Sequence, residues 1–329
     1  MISLLVAAVI FASPVIIIII RLYQKSTNAV CSSKKRLDGR TAIVTGGTAG
    51  MGLEIAKEFA HIGARVIIAC PFKQEGSDAL KTIIEETGNK NISFKLLDLS
   101  SLKSVREFAG DILTTEERLD LLINNAGTSA PKDFQTKDGM NFLMQVNYYG
   151  HFLLTILLLP LLKKTGQPSE PSRIINTSSI VHWLGRIDVE NMNKSGYYWI
   201  PSYQYCNSKI CVIAFSRELT TRLKGAHVVV NSVDPGAVGT GIFAPFGLWG
   251  SLMTNLCYFA YKTPWEGAQT ALHVALDEKA GEVSGYLFKN CKISRASPLA
   301  YWEKRTAKLW EESVRLVQLI DKELEISFK

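Results

Sequence analysis

The stretch that decides the fold reads Thr45-Gly46-Gly47-Thr48-Ala49-Gly50-Met51-Gly52. It follows a short apolar, β-branched run at 41–45 and precedes a helical pattern that extends through Ile62. Glycines in such a loop permit a tight turn and a close approach of the backbone to a pyrophosphate, which the free amides and the dipole of the next helix can bind. Strand, loop and helix occur here in the required order, so the stretch predicts a dinucleotide site rather than an ordinary turn.

The rest of the chain repeats this alternation of short strands and longer helical patterns. Near-continuous apolar strands of this kind are typical of parallel sheets that are covered by helices on both faces. We therefore predict an α/β fold with a doubly wound, mostly parallel sheet of the Rossmann type, whose ligand crevice lies at the carboxyl ends of the strands. The strand candidates are 41–45, 65–69, 92–97, 119–123, 172–176, 228–233 and a last one near 286–288.

A second chemical signal lies at 203–209, which reads Tyr-Gln-Tyr-Cys-Asn-Ser-Lys. Residues four positions apart share a helix face, whereas residues six apart do not. Tyr205 therefore faces Lys209, and Tyr203 does not. An ammonium group nearby lowers the pKa of a phenol, which makes the phenol usable as a proton carrier. Taken alone, such a pair is more often a core tyrosine beside a solvated lysine, so it gains weight only from its neighbours.

The N-terminus carries the pattern of a membrane anchor. Residues 1–20 have no charged side chain, end in five isoleucines and are long enough to cross a bilayer as a helix. Five basic residues follow between positions 21 and 36, whereas a cleaved signal peptide would carry basic residues in front. We predict an anchor at 1–20, a basic linker at 21–37 and a catalytic domain that faces the cytosol, with the endoplasmic reticulum as the expected membrane.

Composition limits what the remaining segment, 38–329, can be. It fits a single α/β domain, and no repeat divides it. The formal net charge of +7 is spread along the chain, which argues against nucleic-acid binding and favours an anionic membrane surface near Lys34, Lys35 and Arg36. The six cysteines lack paired spacing and the five histidines are scattered, so we predict reduced thiols and no metal site. The sequence does not decide whether the chain forms a homo-oligomer.

Several further motifs resemble the short-chain dehydrogenase/reductase family. Its glycine pattern matches 45–52, its Asn-Asn-Ala-Gly matches 124–127, its Tyr-x-x-x-Lys matches 205–209, and its Pro-Gly after the sixth strand matches 235–236. Longer phrases resemble the membrane-anchored retinol dehydrogenases of that family, as does the insert between Ser179 and Tyr205. These phrases are 150–155, 182–187 and 262–270.

The resemblance implies a catalytic set of Asn147, Ser179, Tyr205 and Lys209. Tyr205 would exchange a proton with the substrate oxygen while the nicotinamide exchanges a hydride with the carbon. Lys209 would lower the pKa of Tyr205 and hold the nicotinamide ribose, Ser179 would stabilise a developing alkoxide, and Asn147 would hold a water that connects Lys209 to solvent. The residues implied to bind the cofactor are Gly46, Thr48, Gly50, Met51, Gly52, Asp98, Leu99, Asn125, Ala126, Gly127, Tyr205, Lys209, Pro235, Gly236 and Thr240.

The corner after the second strand departs from the family. An acid there binds the ribose 2′-hydroxyl of NAD, and an arginine binds the 2′-phosphate of NADP. This chain has neither, because Pro71 stands where related retinol dehydrogenases carry arginine. We predict that Lys73 reaches the phosphate and that NADP(H) is preferred, with NAD(H) still usable, although lysine lacks the bidentate geometry of arginine.

The C-terminal third carries the substrate signals. The apolar, glycine-rich segment at about 237–261 matches the position of the family's substrate lid, and a C-terminal helix is predicted at about 303–324. An apolar lid on a membrane-tethered domain favours a lipophilic substrate such as retinol or retinal, and a sterol or isoprenoid alcohol fits the same composition. A third hypothesis is a membrane-tethered scaffold that binds a nucleotide without turnover.

Overall fold

Eight strands form one sheet in the computed structural model, which describes residues 18–19, 21–129, 133–198, 202–239 and 261–328. Their order is β3-β2-β1-β4-β5-β6-β7-β8, and all neighbours pair in parallel except β7 and β8. The strands are β1 (Thr41–Thr45), β2 (Arg65–Cys70), β3 (Ile92–Leu96), β4 (Leu121–Asn124), β5 (Ser172–Thr177), β6 (Val228–Asp234), β7 (Leu287–Lys289) and β8 (Lys292–Ser294).

Helices cover both faces of this sheet. Alternate residues of β1 show the two layers, because Ile43 belongs to one apolar cluster while Ala42 and Val44 belong to the other. One face is covered by α3 (Leu102–Thr115), α4 (Phe142–Thr165), α5 (Ser202–Arg222), α7 (Glu303–Leu316) and α8 (Asp321–Phe328). The other face is covered by α1 (Gly50–His61), α2 (Lys73–Thr87) and α6 (Pro264–Leu276). The predicted doubly wound fold is therefore confirmed.

The strand order reverses between β1 and β4, which places a crevice at their carboxyl ends. The chain proceeds outward from β1 through β2 to β3, returns to β4 on the other side of β1, and continues outward from there. In open α/β sheets, ligands bind at such a switch point. The glycine loop follows β1 and the Asn-Asn-Ala-Gly motif begins at the end of β4, so both motifs meet at this crevice.

The predicted strands occur with ends shifted by no more than two residues, but β8 was not predicted. It is a three-residue antiparallel edge strand, too short for a residue pattern to show, and it turns back through Asn290 and Cys291, both at positive φ. The single C-terminal helix predicted at about 303–324 is wrong, because two helices occupy this region. Gln318, at φ 56, separates them, and a left-handed residue ends a helix.

Among the described residues, one helix has the length and apolar character of a membrane span. It is α4, and 83% of its most apolar window is buried inside the domain, as expected of a core helix. Residues 1–17 and 20 of the predicted anchor lie outside the described residues, as do Thr240 and the lid at 240–260.

Candidate active site

The glycine loop forms a narrow cradle at the carboxyl end of β1. Gly46 has φ +64 and donates its N–H to the carbonyl of Ala69 at 2.8 Å. A Cβ on Gly52 would lie 2.1 Å from the carbonyl oxygen of Gly46 and 2.6 Å from Nδ2 of Asn125. No side chain fits there without moving backbone, so the first turn of α1 packs directly against the glycine loop and Asn125.

Four side chains of the predicted catalytic set meet beside this loop, although they come from three elements. Asn147 lies in α4, Tyr205 and Lys209 lie in α5, and Ser179 follows β5. The Nζ of Lys209 lies 5.5 Å from the ring centroid of Tyr205, and the side chain of Ser179 is close enough to Tyr205 to act on the pKa of its hydroxyl. Tyr203 contacts the ring of Tyr198 instead, at 5.2 Å between centroids. The structure thus brings together the pair that helical spacing selected.

Lys209 is a buried cation with spare donors. It is 3% exposed, and its Nζ donates to the carbonyl of Thr177 at 3.0 Å. Burial lowers the pKa of Lys209 to about 8. An ammonium group has three N–H donors, and the bond to Thr177 is the one partner that the described residues provide. Two N–H groups of Lys209 are therefore available to a ligand beside Gly127.

The pKa of Tyr205 differs from the sequence prediction. Burial raises the pKa of Tyr205 to about 12, and the hydrogen bond with Ser179 offsets only part of that rise. The expected lowering by Lys209 is therefore not found, because burial is the largest cause of the shift and the neighbouring Cys206 and Asp234 raise the pKa further. Tyr205 is a protonated hydrogen-bond donor at neutral pH.

Asn147 lies in an irregular turn of α4. Residues Gln145–Tyr149 form a π-helical segment, a rare conformation that occurs mostly at functional sites. The amide of Asn147 donates from Nδ2 to the carbonyl of Thr128 at 2.9 Å, and its Oδ1 accepts the N–H of Thr128 at 2.8 Å. A Cβ on Gly127 would lie 3.4 Å from Nζ of Lys209 and 3.5 Å from Oδ1 of Asn147, so both polar groups border the same space.

These features fit a nicotinamide dinucleotide. The cradle at Gly52 is too narrow for a side chain, which suits the close packing of helix against loop that the glycine fingerprint of a dinucleotide site requires. The spare donors of Lys209 suit ribose hydroxyls. Asn125 and Ala126 fix the second wall of the crevice, since both donate backbone N–H groups to Oγ1 of Thr45 at 3.0 Å.

The remaining predicted cofactor residues lie along the same edge of the sheet. Asp98 and Leu99 follow β3, and Oδ1 of Asp98 accepts from the backbone and side chain of Ser100 at 2.9 and 2.6 Å. Gly236 follows β6 at φ +83 and donates to Oδ1 of Asp234 at 2.9 Å. Pro235 precedes it, while Thr48 and Met51 lie at the start of α1.

The corner between β2 and α2, where the sequence departs from the family, is exposed, and the N-terminus of α2 has no side-chain cap. Phe72 is the N-cap of α2, makes no side-chain cap and is 60% exposed. Lys73 is the first residue of that helix and is exposed. The first N–H groups of a helix and its dipole attract anions. The corner therefore offers an anion the charge of Lys73 and the first N–H groups of α2, with Glu75 as the opposing charge in the same turn.

His151 is a site residue to which the sequence analysis assigned no role. It is 4% exposed, and its Nε2 lies 2.9 Å from Oγ1 of Thr45, whose lone pairs already accept the N–H groups of Asn125 and Ala126. The Thr45 hydroxyl has a single proton, which Nε2 and the carbonyl of Ile123, at 3.3 Å from Oγ1, are both placed to accept, and the ring is also hydrogen-bonded to the backbone of Asn147. Burial, and then the charge of Lys209, lower the pKa of His151 to about 3, so the ring is neutral.

This histidine connects the end of β1 to the π-helical turn of α4. The segment 150–155 drew attention because it resembles the retinol dehydrogenases. No sequence pattern, however, links position 151 to position 45, which lies 106 residues away. The contact exists only because β1 and α4 pack together in the folded domain.

Replacing His151 with phenylalanine is expected to lower the free energy of unfolding by about 1–3 kcal/mol, because a buried hydroxyl and a carbonyl lose their partner. Urea denaturation measures this loss, and titration of the cofactor should show weaker binding because Thr45 supports the glycine loop. His61→Phe is the matched control, since His61 is exposed at the end of α1 and should change neither quantity. Equal stability of both variants would contradict the connecting role.

Comparison with known proteins places these features in a family. A family model described as short chain dehydrogenase matches residues 40–249. Human retinol dehydrogenase 13 is 40% identical over 298 residues, which cover 89% of each chain, and human retinol dehydrogenase 11 is 42% identical over 295 residues, covering 89% of this chain and 90% of that protein.

A solved structure supports the same assignment. The structure of a Pseudomonas aeruginosa RhlG/NADP active-site complex aligns with a TM-score of 0.60 and 27% sequence identity, covering 77% of this chain and 95% of that chain. Together with the glycine cradle and the spare donors of Lys209, this similarity supports the binding of a nicotinamide dinucleotide. The chain belongs to the short-chain dehydrogenase family of NAD(P)-dependent oxidoreductases, and within it resembles the retinol dehydrogenases.

Proposed function

We propose that this protein transfers a hydride between NADP(H) and a lipophilic alcohol or aldehyde of the retinol and retinal type. The observation that carries the proposal is the meeting of Ser179, Tyr205 and Lys209 beside the glycine cradle. The named activity of the relatives at 40–42% identity supports the substrate class. In this chemistry the nicotinamide supplies or accepts the hydride.

Four side chains carry out proton transfer, stabilise the alkoxide and bind the cofactor. Tyr205 hydrogen-bonds the substrate oxygen and, being protonated at neutral pH, donates a proton to it during aldehyde reduction. Ser179 donates a second hydrogen bond to the developing alkoxide. Lys209 would hold the nicotinamide ribose through its spare donors, and Asn147 would hold a water between Lys209 and solvent.

The preference for NADP(H) rests on the corner at the N-terminus of α2. Pro71 and Phe72 carry no charge, and Lys73 supplies a cation beside free helix N–H groups. A 2′-phosphate would be attracted by both, whereas a ribose 2′-hydroxyl finds no acid among 70–73 to accept its proton. An exposed lysine holds phosphate more loosely than an arginine fork, so the preference over NAD(H) should be modest.

Lys73→Ala is expected to raise KM for NADPH by roughly three- to tenfold and to leave KM for NADH unchanged, because only the phosphate contact is lost. Pro71→Arg should act in the opposite direction by adding a bidentate phosphate partner. Steady-state kinetics with both cofactors measures these changes. Lys81→Ala is the control on the same helix, since Lys81 is exposed two turns away from the corner. Equal effects of Lys73→Ala on both cofactors would rule out the phosphate contact.

We propose further that residues 1–20 anchor the domain in the endoplasmic reticulum membrane and that the domain faces the cytosol. The anchor is supported by its uncharged, apolar sequence and by the helical conformation at 18–19 and 21–27. The orientation is supported by the basic residues that follow and by the free thiols at Cys31, Cys70, Cys206, Cys211 and Cys291. Protease protection of intact microsomes tests it, because a cytosolic domain is digested without detergent.

The test of the reaction is cofactor oxidation by the full chain in detergent, with NADPH or NADH and with retinal or a long-chain aldehyde. Turnover that depends on Tyr205 would support the proposal, and the ratio of the two cofactors would report on Lys73. A folded, nucleotide-binding protein that turns over neither aldehyde would favour the scaffold hypothesis instead.

A further inference from the structure

The segment before β1 begins beside the active site. Residues 21–27 are helical, and Oε1 of Gln24 lies 3.7 Å from the position that a Cβ on Gly236 would take. Gly236 belongs to the loop after β6 and so lies at the carboxyl edge of the sheet. The N-terminal helix therefore touches the loop that borders the crevice.

From there the chain runs along α6 to the opposite edge. The N–H of Cys31 donates to Oε1 of Gln269 at 3.0 Å, Oγ of Ser33 donates to the carbonyl of Leu276 at 3.1 Å, and the N–H of Leu37 donates to the carbonyl of Ile62 at 2.9 Å. Because α6 lies between β6 and the parallel strand β7, it runs from the carboxyl edge to the amino edge. Residues 28–37 follow the same direction and then enter β1.

This path fixes the edge from which an anchor must emerge. The described chain starts at 18–19, next to the crevice, and the 17 residues before it carry no charged side chain. Three large apolar side chains are exposed in this part of the molecule, since Leu22 is 63% exposed, Tyr23 is 66% exposed and Trp265 is 46% exposed at the start of α6. Lys25, on the same short helix, is exposed and suits lipid phosphates.

The basic cluster predicted to meet the membrane lies elsewhere. Lys35 pairs with Glu170 at 2.7 Å, and Arg36 pairs with Asp38 at 2.7 Å. Both follow Ser33, which already lies at the carboxyl end of α6, so the cluster belongs to the amino edge. These partners offset the charges of Lys35 and Arg36, two of the three residues of the cluster.

We propose that the carboxyl edge of the sheet docks on a phospholipid bilayer, with Leu22, Tyr23 and Trp265 in contact with lipid. This inference rests on the proposed lipophilic substrate and adds the direction from which it arrives. A crevice that opens toward the bilayer receives a retinal-like molecule from the lipid phase, without passage through water. Exposed aromatic residues suit such a surface because one end of the ring is apolar and the other tolerates water.

The test measures the depth of Trp265 in the membrane. The full chain is reconstituted in phosphatidylcholine vesicles that contain phosphatidylserine, with or without bromine on the acyl chains, and the emission of Trp265 is taken as the difference between the parent protein and Trp265→Phe. Leu113→Trp provides the matched probe, because Leu113 is an exposed apolar residue near the C-terminal end of α3, at the amino edge.

The expected result is that brominated lipid quenches Trp265 several-fold and leaves the tryptophan at 113 unaffected. An unquenched Trp265, or equal quenching at both positions, would overturn the proposed orientation and would point to another partner for this surface. Aldehyde turnover is measured on the same vesicles. If the protein turns over the aldehyde but Trp265 is not quenched, only the proposed orientation is overturned. If Trp265 is quenched but no aldehyde is turned over, only the proposed reaction is overturned.

A second experiment, on KM, tests whether the substrate reaches the crevice from the lipid phase. Leu22→Gln combined with Tyr23→Gln should raise KM several-fold for a long-chain aldehyde supplied in vesicles and leave KM unchanged for a short, water-soluble aldehyde. Leu113→Gln should change neither value. An equal rise for both aldehydes would contradict delivery from the lipid phase.

Discussion

Tyr205→Phe is expected to lower the rate of aldehyde reduction by about 10²–10⁴-fold while the affinity for NADPH stays nearly constant. The hydroxyl is the group that donates the proton, and general acid catalysis contributes a factor of that size. Ser179 acts on the pKa of this hydroxyl, so the hydroxyl lies beside the second residue of the predicted catalytic set. Single-turnover oxidation of bound NADPH measures the chemical step directly.

Tyr203→Phe is the control that the sequence itself supplies. Tyr203 lies two positions earlier on the same helix, and its ring packs against Tyr198 at 5.2 Å between centroids. Loss of its hydroxyl should leave turnover intact. A Tyr205→Phe variant that keeps the parent rate would disprove the assignment of Tyr205 as the acid. A larger loss in Tyr203→Phe would mean that Tyr203 is the acid instead.

Gly52→Ala is expected to weaken cofactor binding by roughly ten- to a hundredfold. The added Cβ would approach the carbonyl oxygen of Gly46 to 2.1 Å and Nδ2 of Asn125 to 2.6 Å. Both belong to walls of the crevice, so relief requires the loop to open, and forced repacking of this kind costs about 1–3 kcal/mol. Titration with NADPH, followed by nucleotide fluorescence, gives the dissociation constants of parent and variant.

Gly110→Ala separates this effect from a general intolerance of alanine. Gly110 is exposed in α3, and a Cβ there would meet no atom within 4 Å. Alanine at an open helical position should raise the free energy of unfolding by about 0.5–1 kcal/mol and leave NADPH affinity unchanged. Equal affinities of the Gly52 and Gly110 variants would mean that the cradle does not bind the pyrophosphate.

Local sequence was sufficient for the layout of the fold. A run such as 41–45 consists of alanine and β-branched residues that can all be buried, as a strand requires when helices cover both of its faces, and the glycine loop after it marks the switch point. Register within a helix is also local, so the choice of Tyr205 over Tyr203 as the partner of Lys209 followed from spacing alone. Three-residue β8 and the break at Gln318 escaped prediction because neither leaves a pattern longer than a turn.

Tertiary structure decided the chemical state of the site. The charge of Lys209 predicted a lowered pKa for Tyr205, yet the pKa is raised to about 12, because desolvation depends on everything packed around a side chain and not on its sequence neighbours. The bridge from Thr45 through His151 to Asn147 likewise joins residues about a hundred positions apart.

The sequence by itself determined the family, the order of the motifs along the strands and the pairing of Tyr205 with Lys209, because these depend on short-range geometry. Only the folded domain decided that the segment before β1 starts beside Gly236 and crosses along α6 to the other edge. The path of an irregular segment is set by the surface on which it packs, and that surface exists only after α6 and the loop after β6 have come together.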